Sequence, residues 1–337
     1  MKPPHAFNFD LDSSLCLRAF AVICMIIIHH NYNILFIICV PLLTFLAGYG
    51  YALTRHNKYS VISNLQRITK LLASYWLILF TLFIPFGVLS GEYRLSFSDL
   101  LLEMVGFKSD LNGYNWYVYF YIYAMMVMIP ASRLIRRYGI PAILIMNGLC
   151  VTTCIVVHMI PGWNENIFYT AIWQCALWTP VLFSGYFCAI RKIFSRYRIR
   201  YTLFSAIILL TAMTAILLMR KIPYLFIFDF ITIPLFVLAF TGITDMLRAW
   251  KPEGYLFRSL RAIGKESMNI WLVSAIFTSA GTGWLFSNIF DHIHTIPAII
   301  LKIIISFILA SFYTWLYRLI KTNLGYFRPQ EERSRER

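Results

Sequence analysis

The first apolar stretch of the chain contains an arginine and two histidines, which are residue types that can do chemistry inside a membrane. Arg18 and His29 lie 11 residues apart, close to three helical turns, so a helix would place them on one face about 16 Å apart along its axis. His30 would point about 100° away from that face. Histidine can accept a proton near neutral pH, and an arginine inside a membrane helix usually marks a functional site or a buried partner. The pattern therefore favours a polar seam on one face of the helix, with a histidine acting as a base.

A simpler interpretation of the same residues stays open. Arg18 could extend its side chain to the cytoplasmic interface, as long cationic side chains do. His29 and His30 could then sit at the opposite interface without a chemical role. Spacing alone does not decide between these two interpretations.

Two further groups of residues could bind small molecules. Arg67 and Lys70 lie one helical turn apart before a long apolar stretch and could hold the phosphates of a cofactor, or could serve only as topology-determining charges. Tyr114 and Trp116 begin the fourth apolar stretch. They could stack on a sugar, or could belong to the aromatic belt that marks a membrane interface.

The composition identifies the elements that must position these residues. The chain has 337 residues, of which 59% are hydrophobic and only 13% are charged, against about 25% charged in an average soluble domain. The mean hydropathy is +0.67. A soluble fold needs enough charge to cover its surface, so the composition excludes an ordinary soluble enzyme and a nucleic-acid-binding module. The excess of apolar residues predicts an all-α polytopic membrane protein.

About 20 apolar residues are needed for each helical span, and ten such stretches are present. They run near 13–30, 34–53, 71–90, 114–131, 140–160, 167–190, 201–219, 223–245, 267–287 and 297–319. We find neither an internal repeat nor a second domain. The sequence therefore predicts one integral-membrane domain over 1–337, with a short polar tail at about 321–337.

The distribution of positive charge predicts the topology. With ten spans, 24 of the 30 Lys and Arg residues fall on the side of the two termini and 5 on the other side, and Arg18 falls within the first span. Cytoplasmic loops carry such an excess of Lys and Arg. Both termini are therefore predicted to be cytoplasmic, and the net charge of +15 needs no nucleic-acid partner.

The cysteines and histidines do not form a recognisable metal site. All seven cysteines lie in apolar stretches, without the paired spacing of a zinc site or of a disulfide framework. His292 and His294 form a loose pair that lacks a nearby carboxylate or cysteine. We expect neither a bound metal nor a tightly bound cofactor.

Five segments of the chain, in order, resemble the acyltransferase 3 family of integral-membrane O-acyltransferases, which modify bacterial surface polysaccharides. The segments are Arg18-Ala19-Phe20-Ala21 through His29, Val40 to Tyr49, Arg67, Asn115-Trp116 with Pro130, and Gly264 to Leu272. The resemblance covers nearly the whole chain.

The resemblance implies transfer of an acyl group, most often acetyl from acetyl-coenzyme A (acetyl-CoA), to a sugar hydroxyl of a polysaccharide such as O-antigen or capsule. His29 would be the catalytic base, and Arg18 would orient it or stabilise negative charge on the donor. Arg67 and Lys70 would hold the phosphates of the acyl-CoA. The implied location is the bacterial inner membrane, where membrane lipid surrounds the protein and the acceptor is a glycan or a lipid-linked sugar.

The acceptor side of the site would be lined by aromatic and imidazole groups. These are Trp116, Tyr114 and His30.

Three positions depart from the family pattern. Ala47 stands where the family has the serine of a Ser-Gly-Tyr motif, and Ser274 replaces a histidine that often closes the late motif. Leu15 stands where an aspartate often precedes the arginine. These departures bear on the details of acceptor chemistry, whereas the pair Arg18 and His29 is intact.

A different class of protein remains the alternative. A polytopic transporter or flippase for lipid-linked glycans, or a glycan polymerase, would also be basic on its cytoplasmic side and aromatic at its interfaces. Transporters often show repeat symmetry or broken helices, and polymerases usually have a large loop outside the membrane. The longest predicted outer loop here, 91–113, has about 23 residues.

Overall fold

The computed structural model describes most of the chain. The described residues are 11–31, 38–53, 61–91, 96–108, 111–112, 115–196, 207–208, 211–212, 214–215, 228–250, 254–279, 283, 290 and 293–325. Every regular element within these ranges is helical, which confirms the predicted all-α class. The helices are α1 (Leu11–Asn31), α2 (Cys39–Leu53), α3 (Val61–Ile78), α4 (Ile84–Leu89), α5 (Phe97–Met104), α6 (Trp116–Tyr138), α7 (Ile140–His158), α8 (Ile167–Ile190), α9 (Ile193–Arg196), α10 (Asp229–Trp250), α11 (Tyr255–Lys265), α12 (Ser267–Ser274) and α13 (Thr295–Gly325).

Six helical segments within the described ranges are long and apolar enough to cross a bilayer. They are Leu11–His29, Val61–Leu89, Trp116–Tyr138, Ile140–His158, Ile167–Ile190 and Thr295–Asn323. Three shorter apolar helices, Cys39–Leu53, Asp229–Gly242 and Ser267–Phe277, coincide with three more of the predicted spans. The remaining predicted span, 201–219, lies largely outside the described residues. The count of ten spans and the cytoplasmic location of both termini therefore stay predictions.

The boundaries of several helices differ from those predicted by apolar stretches. Helix α3 begins at Val61 rather than near residue 71, because its buried positions Asn64, Ile68 and Leu71 already follow the helical spacing. It continues into α4 through one wider π-helical turn, Leu79–Phe83. Pro85 lies just after that turn, and its missing N–H cannot support a regular α-helical bond there.

Two elements at the ends of the spans were not predicted from hydropathy. Helix α11 is amphipathic: Phe257 is buried, whereas Lys265 is exposed. It packs along α1, where Arg261 forms an ion pair of 3.4 Å with Asp12. Helix α13 continues to Gly325, so the predicted polar tail begins inside a helix.

Helices α2 and α8 cross in very close contact. A Cβ atom added at Gly48 would lie 2.0 Å from the carbonyl oxygen of Leu182, and one at Gly185 would lie 2.2 Å from that of Phe45. Small residues allow such a backbone approach between membrane helices. Gly48 therefore serves close helix contact, whereas a Cβ at Gly50 would meet nothing within 4 Å.

Candidate active site

Four side chains from three helices form a cluster that we call the arginine–tyrosine cluster: Arg18 of α1, Arg67 of α3, and Tyr117 and Tyr121 of α6. Arg18 interacts electrostatically with both tyrosines, and Tyr121 interacts with both arginines. Among the described residues, no carboxylate lies in salt-bridge contact with Arg18. The two arginines of the cluster therefore interact with the phenol groups of two tyrosines.

A second set of contacts extends this cluster from Arg67 towards the end of α6. The guanidinium carbon of Arg67 lies 5.2 Å from the ring centroid of Tyr51, at cation–π distance. The Tyr51 hydroxyl accepts a 3.3 Å hydrogen bond from Asn64, and its ring lies 6.1 Å from that of Tyr186. Arg136 Nε donates a 2.7 Å hydrogen bond to the Tyr186 hydroxyl. Two buried tyrosines therefore separate two arginines on the side predicted to be cytoplasmic.

The predicted phosphate-binding pair is divided between two faces of α3. Arg67 is half-buried and joins the arginine–tyrosine cluster, whereas Lys70 is exposed. Arg67 and Arg18 both lie within electrostatic range of Tyr121, whereas Lys70 lies on the outward face of the helix. Arg136 is the residue that sequence reasoning missed here, because it had been counted only as a topology-determining charge.

His29 occupies a different environment at the far end of α1. It lines a small cavity of about 10 Å³, which is completed by residues of α1, of the α12 region and of α13. The other lining residues are Ile26, Ser274, Phe277, Thr278 and Lys302. Ser274 is the position at which the family pattern often has a histidine, so this departure lies beside the candidate base.

Arg18 and His29 share α1 but do not share neighbours. Helix α1 is continuous from Leu11 to Asn31, so the two residues are about 16 Å apart along its axis. That separation is far beyond hydrogen-bond distance. Arg18 therefore cannot orient His29 by direct contact, and its position beside α6 fits the other expected role, stabilisation of negative charge on the donor.

Trp116 lies where the fourth and fifth motif segments meet. Its ring is 6.4 Å from that of Trp271 and 5.9 Å from that of Tyr117. Tyr117 in turn lies 4.9 Å from Trp271. This aromatic group links the start of α6 to α12 and stands next to the arginine–tyrosine cluster.

Two of the predicted acceptor-side residues cannot be placed. The backbone of His30 continues α1, but its side chain is outside the described part of the structure. Tyr114 lies outside the described residues altogether. Their proposed roles stay predictions.

The late motif packs tightly against α1. A Cβ atom added at Gly264 would lie 2.0 Å from the carbonyl oxygen of Leu15, so only a glycine fits at this contact. Glu266 accepts a short hydrogen bond from Thr314, and Asn269 also donates to that hydroxyl, at 2.7 Å. The motif therefore holds α1, α12 and α13 together around the cavity that contains His29.

Glu103 is a buried carboxylate that sequence reasoning did not single out. It accepts hydrogen bonds from the Leu111 amide at 2.8 Å and from Asn115 Nδ2 at 2.7 Å. The backbone carbonyl of Glu103 accepts a 2.6 Å bond from the Tyr75 hydroxyl. These contacts anchor the segment between α5 and α6 to α3, and so fix where α6 and Trp116 begin.

The same segment has a half-buried ion pair with α5. Lys108 Nζ lies 2.8 Å from a carboxylate oxygen of Asp99. Two side-chain hydrogen bonds hold the pKa of Asp99 below its ordinary value, and the one from Lys108 has a larger effect than the one from Ser96. The pair is half-buried and positions the segment without taking part in the candidate site.

Helix α6 separates the arginine–tyrosine cluster from an apolar cleft. Tyr119 and Tyr123, which lie on the opposite face from Tyr117 and Tyr121, line a cleft of about 660 Å³ between α5, α6, α7 and α8. The Tyr119 hydroxyl forms a hydrogen bond with Gln174. The cleft is therefore not continuous with the candidate active site through α6.

Comparison with known proteins assigns the family. The model of an acyltransferase domain family, acyltransferase 3, matches residues 10–315. The match covers most of the chain, so the protein belongs to this family. Searches of curated proteins and of solved structures found no match. The predicted family is thereby confirmed, and the protein is a multi-pass membrane acyltransferase.

Proposed function

We propose that the protein transfers an acyl group, most simply acetyl from acetyl-CoA, to a sugar hydroxyl of a bacterial surface polysaccharide at the inner membrane. The observation that carries this proposal is the placement of groups along α1. Arg18 lies within electrostatic range of Tyr117 and Tyr121, and Tyr121 also interacts with Arg67, whereas His29 lines a cavity at the other end of the helix. Groups suited to an anionic donor and a group suited to proton transfer are thus held by one rigid element.

The reaction needs a base because a neutral sugar hydroxyl is a weak nucleophile. His29 would take the hydroxyl proton as the sugar oxygen forms a bond to the thioester carbonyl carbon. The bond between that carbon and sulfur then breaks, and the thiolate of coenzyme A leaves with the proton from His29. Acyl-CoA enters as a co-substrate, so the reaction needs no tightly bound cofactor.

The donor would bind from the predicted cytoplasmic side. Guanidinium groups bind phosphates well because they offer several fixed donors, and Arg67 and Arg136 flank the tyrosines at that end of the bundle. The exposed Lys70 can add a more mobile positive charge. The thioester arm would then pass along α1 towards His29, with Arg18 beside its path.

The acceptor would approach from the opposite side. Trp116 lies in the aromatic group beside α12 and offers an apolar ring face against which a sugar can pack. Tyr114 and His30 are adjacent in sequence to described residues of the site and are proposed to complete this surface. The acceptor is a glycan or a lipid-linked sugar in contact with membrane lipid.

The test is proton NMR of surface polysaccharide from cells with the native gene, with a deletion and with His29→Ala. The variant must reach the membrane at the native level. We expect base-labile acyl signals in the native glycan that disappear in both the deletion and the variant. Loss of the signals in the deletion but not in the variant would keep the function and move the base elsewhere, with His30 the next residue to test.

The same experiment addresses the transporter, flippase or polymerase alternative. Those activities predict that the deletion leaves acylation of the remaining glycan unchanged but alters its amount or chain length. That result would refute the acyltransferase proposal for this glycan.

A further inference from the structure

Lys302 is a buried cation near the start of α13. Only 7% of the residue is exposed, although lysine is rarely this buried. Its ammonium group lies 4.8 Å from the ring centroid of Phe290 and 5.8 Å from that of Phe277. Both values are cation–π distances. The two rings therefore hold the ammonium group in place and keep bulk water away from it.

Lys302 and His29 line the same cavity, together with Ser274 and Thr278. The cavity volume of about 10 Å³ corresponds to roughly one water molecule. A single oxygen atom of a reacting group fits into such a space, whereas a sugar ring does not. The cavity is therefore large enough for Lys302 to meet a single oxygen atom of the substrate, but not a larger group.

We propose that Lys302 stabilises the oxyanion that forms on the thioester carbonyl during acyl transfer, an inference that rests on the function proposed above. As the sugar oxygen bonds to the carbonyl carbon and His29 takes the hydroxyl proton, one electron pair of the carbonyl double bond moves to its oxygen. The oxyanion occupies the cavity and faces the ammonium group of Lys302. The electron pair on the oxygen then re-forms the carbonyl double bond, and the carbon–sulfur bond breaks. The thiolate takes the proton held by His29 and leaves as a thiol. Lys302 keeps its own proton throughout.

The surroundings make Lys302 better suited to this role than Arg18. A fixed positive charge in a water-poor site acts strongly on charge that develops close to it. Arg18 is about 16 Å from His29 along α1, too far to contact the carbon at which His29 assists the attack. Lys302 is the cation that the described structure places in the His29 cavity.

The test compares Lys302→Met, which keeps most of the volume but removes the charge, with Lys302→Arg, which keeps the charge. Lys321→Met, at an exposed lysine near the end of the same helix, is the matched control. Membrane vesicles from the host, which contain its own lipid-linked glycans, are supplied with acetyl-CoA, and release of free thiol is followed. We expect Lys302→Met to lower kcat about 100-fold, as removal of an oxyanion-stabilising group does, without a change in the KM for acetyl-CoA. Lys302→Arg should restore part of the rate, and Lys321→Met should match the native protein.

A second measurement separates this role from a structural one. A trifluoromethyl ketone analogue of acetyl-CoA forms a stable oxyanion when a hydroxyl adds to it. We expect Lys302→Met to bind this analogue more weakly than the native protein and to bind acetyl-CoA equally well. Should Lys302→Met not accumulate in the membrane, Lys302→Gln, which also lacks the charge, is used in both measurements.

The outcomes distinguish the inference from the proposed function. If vesicles with the native protein release thiol no faster than vesicles from cells that lack the gene, the proposed function fails. If the native protein is active and the uncharged variants retain its kcat and its affinity for the ketone analogue, the role of Lys302 is refuted while the function stands.

Discussion

The guanidinium group of Arg18 and the hydroxyl of Tyr121 interact electrostatically across the interface between α1 and α6. Tyr121 makes the same kind of contact with Arg67 of α3. One phenol group therefore lies within electrostatic range of two cations that belong to different motif segments. Two cations within range of one phenol group give this region a positive potential, which favours the binding of an anionic donor.

The first prediction concerns this tyrosine. Tyr121→Phe removes the hydroxyl dipole without removing the ring. We expect a loss of about 1 kcal/mol in transition-state stabilisation, typical of one polar contact, and therefore a fall of roughly five-fold in kcat/KM for acetyl-CoA. The assay is thiol release from acetyl-CoA in membrane vesicles.

Tyr119→Phe is the matched control for that prediction. It removes a hydroxyl from the opposite face of the same helix, where it contacts Gln174 beside the apolar cleft. Its kcat/KM should stay close to the native value. Equal losses in the two variants would show that α6 as a whole, and not the contact with the arginines, determines the effect.

The second prediction concerns donor recognition by Arg136. If Arg136 binds a phosphate of acyl-CoA, Arg136→Gln will raise the KM for acetyl-CoA about tenfold or more, because a hydrogen bond to a charged group contributes about 1.5–3 kcal/mol. The KM for S-acetyl-pantetheine, a donor that lacks the nucleotide and its phosphates, should not change. Steady-state kinetics with the two donors measure this difference directly.

Arg133→Gln serves as the control for Arg136. Arg133 is exposed one turn earlier on the same helix, so it carries the same topology-determining charge. An equal rise in KM for both donors in Arg136→Gln, or the same rise in Arg133→Gln, would contradict a specific phosphate contact.

The third prediction concerns the crossing of α2 and α8. Gly48→Ala places a methyl group 2.0 Å from the Leu182 carbonyl oxygen, so the helices must separate. Overpacking of this kind costs about 1–3 kcal/mol, and we expect a lower midpoint of thermal unfolding in detergent, followed by circular dichroism. Gly50→Ala, where a Cβ meets nothing within 4 Å, should not lower the midpoint. A similar midpoint for both variants would show that the crossing relaxes without cost.

The sequence was sufficient to predict which residues lie on one helix or in one family motif. The spacing of Arg18 and His29 placed them correctly on a continuous helix, and the match of the acyltransferase family to 10–315 confirms the resemblance drawn from five short segments. Such features depend on helical periodicity and on residue type. Both of these can be read without knowledge of the tertiary structure.

The contacts between distant segments could not be predicted in the same way. Lys302 joins His29 only because α13 packs beside α1, and in the sequence it was one more charge near the end of a span. Arg136 likewise contacts Tyr186 across two helices. A single sequence gives the periodicity of each helix but not which helix faces which, so residues that complete a site from other helices resemble ordinary interfacial charges.

The last prediction concerns the carboxylate that anchors the start of α6. Glu103→Gln preserves the shape of the side chain but replaces one acceptor oxygen with an N–H donor. The native oxygens face the Leu111 amide and Asn115 Nδ2, so the new NH2 group would face one of these two donors in a fully buried position. An unsatisfied buried polar group costs about 1–3 kcal/mol. We expect a lower unfolding midpoint together with faster proteolytic cleavage between residues 91 and 115.

The loss of anchoring should also reach the active site, because Asn115 immediately precedes α6 and Trp116. We therefore expect a higher KM for the glycan acceptor in Glu103→Gln, with a smaller change in the KM for acetyl-CoA, a phosphate of which is proposed to bind Arg136 at the other end of α6. Glu165→Gln is the control, since Glu165 is exposed in the segment between α7 and α8. Unchanged cleavage and unchanged acceptor KM in Glu103→Gln would mean that Tyr75, whose hydroxyl bonds the Glu103 backbone, is enough to hold the segment.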